Sequence, residues 1–189
     1  MDKFTRKTSF EQWFSPISST KLAELVEIHQ LNTYTKKLHM ASFLKLLLFA
    51  QLNETESLRA ISETLFSDDL QKVTDLESIS FSQLGRRLNQ VPTAVFQEVF
   101  LDLVAQIHEK SQYEQRRKTT TPLKIIDSST LPLNLNNHKW AEFRKTKSGI
   151  KLHLRLVFVE KGCSYPDQAV LTNAKEHDRG QLEVLVDDK

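Results

Sequence analysis

The chain has 189 residues, of which 39% are hydrophobic and 26% are charged, and this balance is typical of a folded globular protein with a sizeable core. The net charge of +2 is too small to indicate a polyanionic partner by itself. The single cysteine, Cys163, cannot pair within the chain, so nothing indicates an oxidising compartment and we expect a cytoplasmic protein. The sequence predicts neither a secretory signal nor a membrane span, because its most apolar stretch, residues 38–52, is too short to cross a bilayer.

The first 110 residues are predicted to be all helical. Apolar residues recur there at helical spacing, and Gly85 is the one glycine among them. The first helix is predicted around residues 19–29. Ser19 or Thr20 is expected to be its N-cap, because a hydroxyl at that position accepts a hydrogen bond from a free backbone N–H.

Residues 38–52 are apolar on nearly every side, which predicts a helix buried at the centre of a small bundle. Asn53 and Glu56 have the spacing of a capping box, in which two side chains each satisfy a free backbone N–H at the start of a helix. They predict a third helix that begins near residue 54. Ser80 and Gln83 repeat this pattern and predict a fourth helix.

A fifth helix is predicted from Pro92, because proline suits the first turn of a helix and a continuous apolar stripe follows. The polar, threonine-rich segment 111–122 contains the basic cluster Arg116, Arg117 and Lys118 and has no regular period, so we interpret it as a linker. Residues 1–110 are therefore predicted to be a helical domain.

Residues 123–189 are predicted to be a second domain, because the apolar period changes to the alternation of β-strands. Strands are predicted at 123–126, 150–158 and 169–172. A turn at 160–163 makes the last two an antiparallel hairpin. An amphipathic helix is predicted to begin at Gly180, and the fold class is α+β.

Asp127 ends the first predicted strand, where a rigidly held carboxylate is suited to bind a divalent cation. The alternative is that Asp127 accepts hydrogen bonds from backbone N–H groups in the turn after the strand. His153 and His177 do not predict a zinc site, since one cysteine and no paired histidines leave too few ligands. Asp178 is expected to be the N-cap of the last helix. The alternative is that residues 177–179 lie near Asp127, if the ends of the first and third strands share an edge.

The basic stretch 139–155 is a second candidate site, in which Trp140 and Phe143 stand among the cations. Cations at this density neutralise phosphates, and aromatic side chains stack on bases. The alternative is the solvated outer face of a strand, on which Lys151, His153 and Arg155 alternate with inward leucines. The residues assigned to DNA binding are Arg144, Lys145, Lys147, Lys151 and His153.

Two short predicted helices, 58–66 and 80–88, also fit a helix-turn-helix with Arg86 and Arg87 near its recognition face. The connector 67–79 is far longer than the usual turn of about 3–4 residues. We therefore interpret these elements as ordinary helices of the bundle.

Seven short motifs are distributed over both halves of the chain. They are LLFAQL at 47–52, ESLR at 56–59, SFSQLGRR at 80–87, IIDSST at 125–130, GIKLH at 149–153, LTNA at 171–174 and HD at 177–178. In this order, and over most of the chain from about Phe10, they resemble the insertion-sequence DDE transposases of the IS-four type.

The resemblance implies an incomplete RNase-H-like catalytic domain at 123–189, after a helical N-terminal domain at 1–110 that binds DNA or dimerises. In the family, three carboxylates hold two Mg²⁺ ions for cleavage and strand transfer at the terminal repeats. Asp127 corresponds to the first of them, as the catalytic and metal-binding residue. No later acidic residue follows a fourth strand, so we expect a C-terminally truncated transposase that binds Mg²⁺ weakly or not at all and is inactive alone.

Two other functions stay open at this stage: a DNA-binding or dimerising remnant that regulates an intact transposase, and an inert gene fragment. The expected partners are the terminal repeats of an insertion sequence and either a second copy or an intact transposase, with no membrane. The location implied is the cytoplasm, on the nucleoid when DNA is bound. The strand that carries Asp127 is internal in the full fold of the family, so its edge is expected to be open here.

Overall fold

The computed structural model describes residues 9–65, 68–115, 123–160 and 163–186. The chain divides into two compact units, Met1–Leu103 and Val104–Lys189. The first is helical and the second contains a sheet, so the mixed α+β class is confirmed. The predicted domain limits at residues 110 and 123 stay predictions, because residues 116–122, with the basic cluster of the linker, lie outside the described residues.

Seven α-helices precede the sheet in the described residues. They are α1 Ser9–Phe14, α2 Ser19–Ile28, α3 Met40–Leu52, α4 Leu58–Thr64, α5 Asp68–Thr74, α6 Phe81–Gln90 and α7 Thr93–Gln115. The core of the first unit is centred on α3, where Met40, Phe43 and Leu46 have no exposed surface. Burial of each such side chain stabilises the fold by about 1.5–3 kcal/mol. The prediction of a central buried helix is therefore confirmed.

The N-terminal caps of two helices test the local sequence patterns. The capping box of α6 is confirmed, because Ser80 and Gln83 exchange side-chain and backbone hydrogen bonds. The cap of α2 was predicted one or two residues too late. Ser18, rather than Ser19 or Thr20, accepts the N–H three residues further on at 3.2 Å.

The capping box predicted for the third helix is wrong. Asn53 instead ends α3, where its Nδ2 donates to the Phe49 carbonyl at 2.9 Å. The next helix, α4, begins at Leu58, and Ser57 caps it by accepting the N–H of Ala60 at 3.1 Å. A helix that was not predicted, α5, lies in the connector between α4 and α6, so these helices are not joined by a helix-turn-helix turn.

The second unit contains a four-stranded antiparallel sheet. Its strands are β1 Leu123–Leu133, β2 Glu142–Arg144, β3 Lys147–Glu160 and β4 Cys163–Asn173. β3 is central and pairs with β1, with the short β2 and with β4. The β3–β4 hairpin is confirmed, although residues 161–162 of its turn lie outside the described residues. A 3-10 turn at Asp178–Gln181 and the short helix α8, Leu182–Leu185, follow the sheet.

The two faces of the sheet follow from its register, because directly opposed residues of an antiparallel pair share a face. Ser128 lies opposite His153, and Arg155 lies two residues further along the same face. His153 and Arg155 are 1% and 5% exposed. Asp127 lies opposite Leu154 and therefore on the other face. The solvent-face interpretation is thus wrong for His153 and Arg155, which are the buried row of β3.

β1 is an edge of the described sheet, since it pairs with β3 alone. The N–H of Ser128 donates to Oδ1 of Asp127 at 2.8 Å, so this backbone group faces away from β3. Pro132 lies four residues further on and therefore on the same side, where its missing N–H breaks no pairing. The outer edge of β1 is therefore open in the described residues, as expected.

Candidate nucleic-acid interface and polar network

Asp127 is exposed and lies within β1, not at its end. The strand continues to Leu133, so it is eleven residues long where four were predicted. The neighbours of Asp127 on its own face are Leu154 and, beyond it, Ala169. The one hydrogen bond described for its carboxylate comes from the Ser128 N–H, which is a bond to the backbone as in the alternative interpretation.

The described residues do not by themselves fit a divalent-metal centre. In the part of the chain that the structure describes, no three side chains of His, Cys, Asp or Glu are grouped closely enough to hold a metal ion. The side chains opposite Asp127 are hydrocarbon. Mg²⁺ requires near-octahedral oxygen ligation and keeps most of its water when a single carboxylate binds it.

Three of the cations assigned to DNA binding lie together at the β2–β3 hairpin. Arg144, Lys145 and Lys147 are all exposed. The Arg144 guanidinium lies 5.8 Å from the centre of the Phe143 ring, and Trp140, in the preceding 3-10 turn, is 68% exposed. We call Arg144, Lys145 and Lys147 the hairpin tip. Exposed cations can contact phosphates, and exposed aromatic rings can stack on bases.

The other two residues assigned to DNA binding, Lys151 and His153, are not at the hairpin tip. Lys151 donates from Nζ to the Glu176 carbonyl at 2.8 Å and lies 3.2 Å from Oδ1 of Asp178. His153 is buried, with Nε2 2.9 Å from Oγ1 of Thr172 and Nδ1 3.5 Å from the same Asp178 oxygen. Both side chains are thus engaged within the second unit, and His153 offers almost no surface to a ligand.

These contacts belong to a polar network of Ser128, Lys151, His153, Thr172 and Asp178. The Ser128 hydroxyl donates to Oδ1 of Asp178 at 2.9 Å, so three side chains from β1 and β3 meet one carboxylate. The network fastens the 3-10 turn that begins at Asp178 onto the sheet. The expectation that Asp178 is an N-cap is wrong, because the side chain reaches across to β1 instead of bonding the free N–H groups of its own turn.

The Ser128 hydroxyl and the Lys151 ammonium hold the pKa of Asp178 below its usual value of 3.8, with a further contribution from the charge of His153. A depressed carboxyl pKa stabilises the folded state above pH 3.8, and this contribution is lost as the pH falls through the lower folded value. We therefore expect an NMR titration of the Asp178 carboxyl carbon to have its midpoint below 3.8. Ser128→Ala should move the midpoint upward, and a wild-type midpoint at or above 3.8 would contradict the network.

Arg155 lies beside this network on the same face of β3. Its Nε and Nη2 donate to the two carboxylate oxygens of Asp167 at 2.9 and 2.7 Å, and its Nη1 donates to the Leu185 carbonyl at 2.8 Å. The side chains of Arg155 and Asp167 are 6% and 10% exposed. The guanidinium therefore joins β3, β4 and α8 in the interior of the second unit.

Comparisons with known proteins give one family profile and one curated relative that match this chain. A family profile described as "Domain of unknown function (DUF4372)" matches residues 5–72. Over 130 aligned residues the chain is 26% identical to "Probable transposase for insertion sequence element IS5377" of Geobacillus stearothermophilus, a match that covers 64% of this chain and 33% of the relative. The chain is transposase-related. It spans about one third of the length of this relative, and no solved structure matches it.

No helix in the described ranges combines the length and the hydrophobicity that a membrane span requires.

Proposed function

We propose that this chain is the DNA-binding part of a DDE transposase of the IS-four type, and that it binds insertion-sequence ends without cutting them on its own. The observation that carries the proposal is the hairpin tip, where Arg144, Lys145 and Lys147 are exposed together and Arg144 lies against the Phe143 ring. The transposase relationship supplies DNA as the polyanion that these cations contact. The protein then acts in the cytoplasm, on the nucleoid when it is bound to DNA.

Electrostatics explains why the hairpin tip suits DNA. Each cation that neutralises a phosphate releases condensed counterions, so binding weakens steeply as salt is added. Contacts of this kind fix the position of a protein on the duplex and carry no sequence information directly. The exposed Trp140, in the 3-10 turn that precedes β2, adds an aromatic surface that suits stacking on a base.

In this proposal β1, β3 and β4 are the antiparallel strands that open an RNase-H-like domain, and Asp127 is the first ligand of its Mg²⁺ centre. The single carboxylate of Asp127 among hydrocarbon neighbours supports the inactivity of the 189-residue chain. Strand transfer by the purified chain that Asp127→Ala abolishes would contradict the proposal.

The hairpin tip gives a direct test. The triple variant replaces three residues with glutamine: Arg144→Gln, Lys145→Gln and Lys147→Gln. It should bind terminal inverted repeats at least about tenfold more weakly than the wild-type chain. The salt slope, which is the slope of log affinity against log salt concentration, should become shallower by about one unit for each phosphate that the variant no longer neutralises. Filter binding at several salt concentrations measures both quantities.

A matched control removes the same charges elsewhere. Arg59, Lys110 and Lys175 are also exposed, and their triple glutamine variant should bind nearly as the wild-type chain does. Equal reductions in affinity in the two triple variants would show that net charge, and not the hairpin tip, accounts for binding.

A second candidate function is a regulator that associates with an intact transposase. The open edge of β1 favours it, because unpaired backbone groups are a template for another strand. Leu123 and Ile125 on this strand are 61% and 42% exposed and add apolar surface at the edge. This function predicts that the chain inhibits an intact transposase in trans and that a variant with Ile126→Pro on β1 inhibits less.

A further inference from the structure

The loop between α2 and α3, residues 29–39, borders a cavity of about 350 Å³ against α6. Four cations line this cavity: Lys36 and Lys37 from the loop, and Arg86 and Arg87 from α6. No carboxylate is among the described residues that line it. Lys36, Lys37 and Arg86 are exposed, while the lysines also line a neighbouring cavity that contains Asp75 and Glu77. Clustered exposed cations on a concave surface attract an anion and favour a polyanion.

Arg87 fixes the loop in place and is 7% exposed. Its Nη1 donates to the Leu31 carbonyl at 2.6 Å and its Nη2 to Oδ1 of Asn32 at 3.2 Å. The same Asn32 oxygen accepts the N–H of Met40 at 2.9 Å, at the start of α3. Burial lowers the pKa of Arg87, but a guanidinium keeps its charge at any physiological pH. Its Nε is buried without a hydrogen-bond partner in the described structure.

Tyr34 stands at the mouth of the cavity and is fully exposed. Its backbone has a φ of 57°, a left-handed conformation that a bulky side chain rarely adopts. Hydrogen bonds from Thr33 to Gln30 and from Thr35 to Asn32, of 3.1 and 3.0 Å, hold the loop around it. Backbone strain of this kind is concentrated at functional sites, where the surrounding structure enforces it. In the described structure the aromatic ring lies open to solvent beside the lysines and Arg86 that line the same cavity.

We infer that this loop and α6 form a second DNA-binding surface, in which Lys36, Lys37 and Arg86 contact successive phosphates of duplex DNA. Tyr34 packs against the sugar-phosphate backbone, and Arg87 is a positioning residue that holds the loop. The inference rests on the proposed function, since the transposase relationship supplies duplex DNA as the ligand. We call Tyr34, Lys36, Lys37 and Arg86 the loop surface.

The test compares three variants of the full chain with equal reduction of charge. The loop variant is Lys36→Gln, Lys37→Gln and Arg86→Gln, and the comparison variants are the hairpin-tip triple and the Arg59, Lys110, Lys175 control. Fluorescence anisotropy with a labelled terminal-repeat duplex gives the Kd at several salt concentrations. The loop variant should bind roughly ten- to a hundredfold more weakly than the control and should have a salt slope shallower by about two to three units.

The outcomes separate this inference from the proposed function. Absence of salt-dependent binding by the wild-type chain overturns both. If the hairpin-tip variant is weakened and the loop variant equals the control, this inference fails and the proposed function stands. Stronger binding to double-stranded RNA than to the DNA of the same sequence also overturns the inference.

A substitution at Tyr34 separates a binding role from a structural one. Glycine adopts a positive φ without strain, so Tyr34→Gly should raise the Tm of the protein. The same variant should bind DNA at least about threefold more weakly, because it lacks the aromatic contact. A higher Tm with unchanged affinity overturns the role of Tyr34, and a lower Tm overturns the account of its strain.

Discussion

Arg155→Met is expected to lower the free energy of unfolding of the second unit by about 3–5 kcal/mol, the usual effect of breaking a buried ion pair. The substitution removes both hydrogen bonds to the Asp167 carboxylate and the bond to the Leu185 carbonyl. Asp167, with 10% of its side chain exposed, is then left as a buried charge without its partner. The destabilisation should affect β3, β4 and α8 together, because the guanidinium joins all three.

Hydrogen exchange measures this destabilisation within one unit of the chain. The amides of β3 and β4 should exchange much faster in Arg155→Met, while those of α3 should be unchanged. Arg144→Met is the matched control, since Arg144 is exposed, and it should change stability by less than about 0.5 kcal/mol. The double variant Arg155→Met with Asp167→Leu should recover most of the stability, because no unpaired charge then stays buried. A single variant as stable as the control would contradict the buried pair.

Arg87→Met is expected to destabilise the first unit by about 3 kcal/mol, since hydrogen bonds from a charged group contribute about 1.5–3 kcal/mol each. The methionine fills a similar volume but leaves the Leu31 carbonyl and the Asn32 amide oxygen with fewer donors. The loop between α2 and α3 should loosen first, because Arg87 is its contact with α6. The effect on the amide of Met40, which donates to Asn32, should be among the largest.

The adjacent arginine gives the control for this prediction. Arg86 differs from Arg87 in being exposed, so Arg86→Met should leave the urea midpoint of the first unit almost unchanged. Circular dichroism of the helices follows the transition. If the two variants unfold at the same urea concentration, the hydrogen bonds of Arg87 are not what holds the loop.

The sequence is informative where structure depends on nearby residues. α3 carries apolar side chains on nearly every side over thirteen consecutive residues, so its burial was predictable. The capping box of Ser80 and Gln83 lies within one helical turn, so it was predictable as well. The box at Asn53 had the same spacing but was wrong. There the side chain of Asn53 bonds the preceding turn of α3, and spacing does not distinguish the end of one helix from the start of the next.

The sheet was harder to predict because its contacts are distant in the chain. The residues after Asp127 are serine, threonine and proline, which are typical of turns, yet eleven residues of β1 pair with β3. Alternation along β3 identified two rows of side chains but not which row is buried. His153 and Arg155 are inside because Asp178 and Asp167, far along the sequence, supply their partners.

In the candidate site, too, the features that depend on nearby residues were predictable, and those that depend on distant residues were not. Exposure of the hairpin tip follows from its local turn, so the clustering of Arg144, Lys145 and Lys147 was predictable. The loop surface was not, because Lys36 and Arg86 come together only through the fold of the helical unit. Its signal in the sequence was the pair Arg86 and Arg87, of which the first is exposed and the second is buried.

The central claim is that this chain holds DNA by phosphate contacts. The most direct test is the equilibrium Kd of the 189-residue chain for a terminal-repeat duplex, measured between about 50 and 200 mM salt. A plot of log affinity against log salt should be linear, with a slope of about −3 or steeper for the cations of the hairpin tip. A flat plot, or no measurable binding at the lowest salt concentration, would contradict the account.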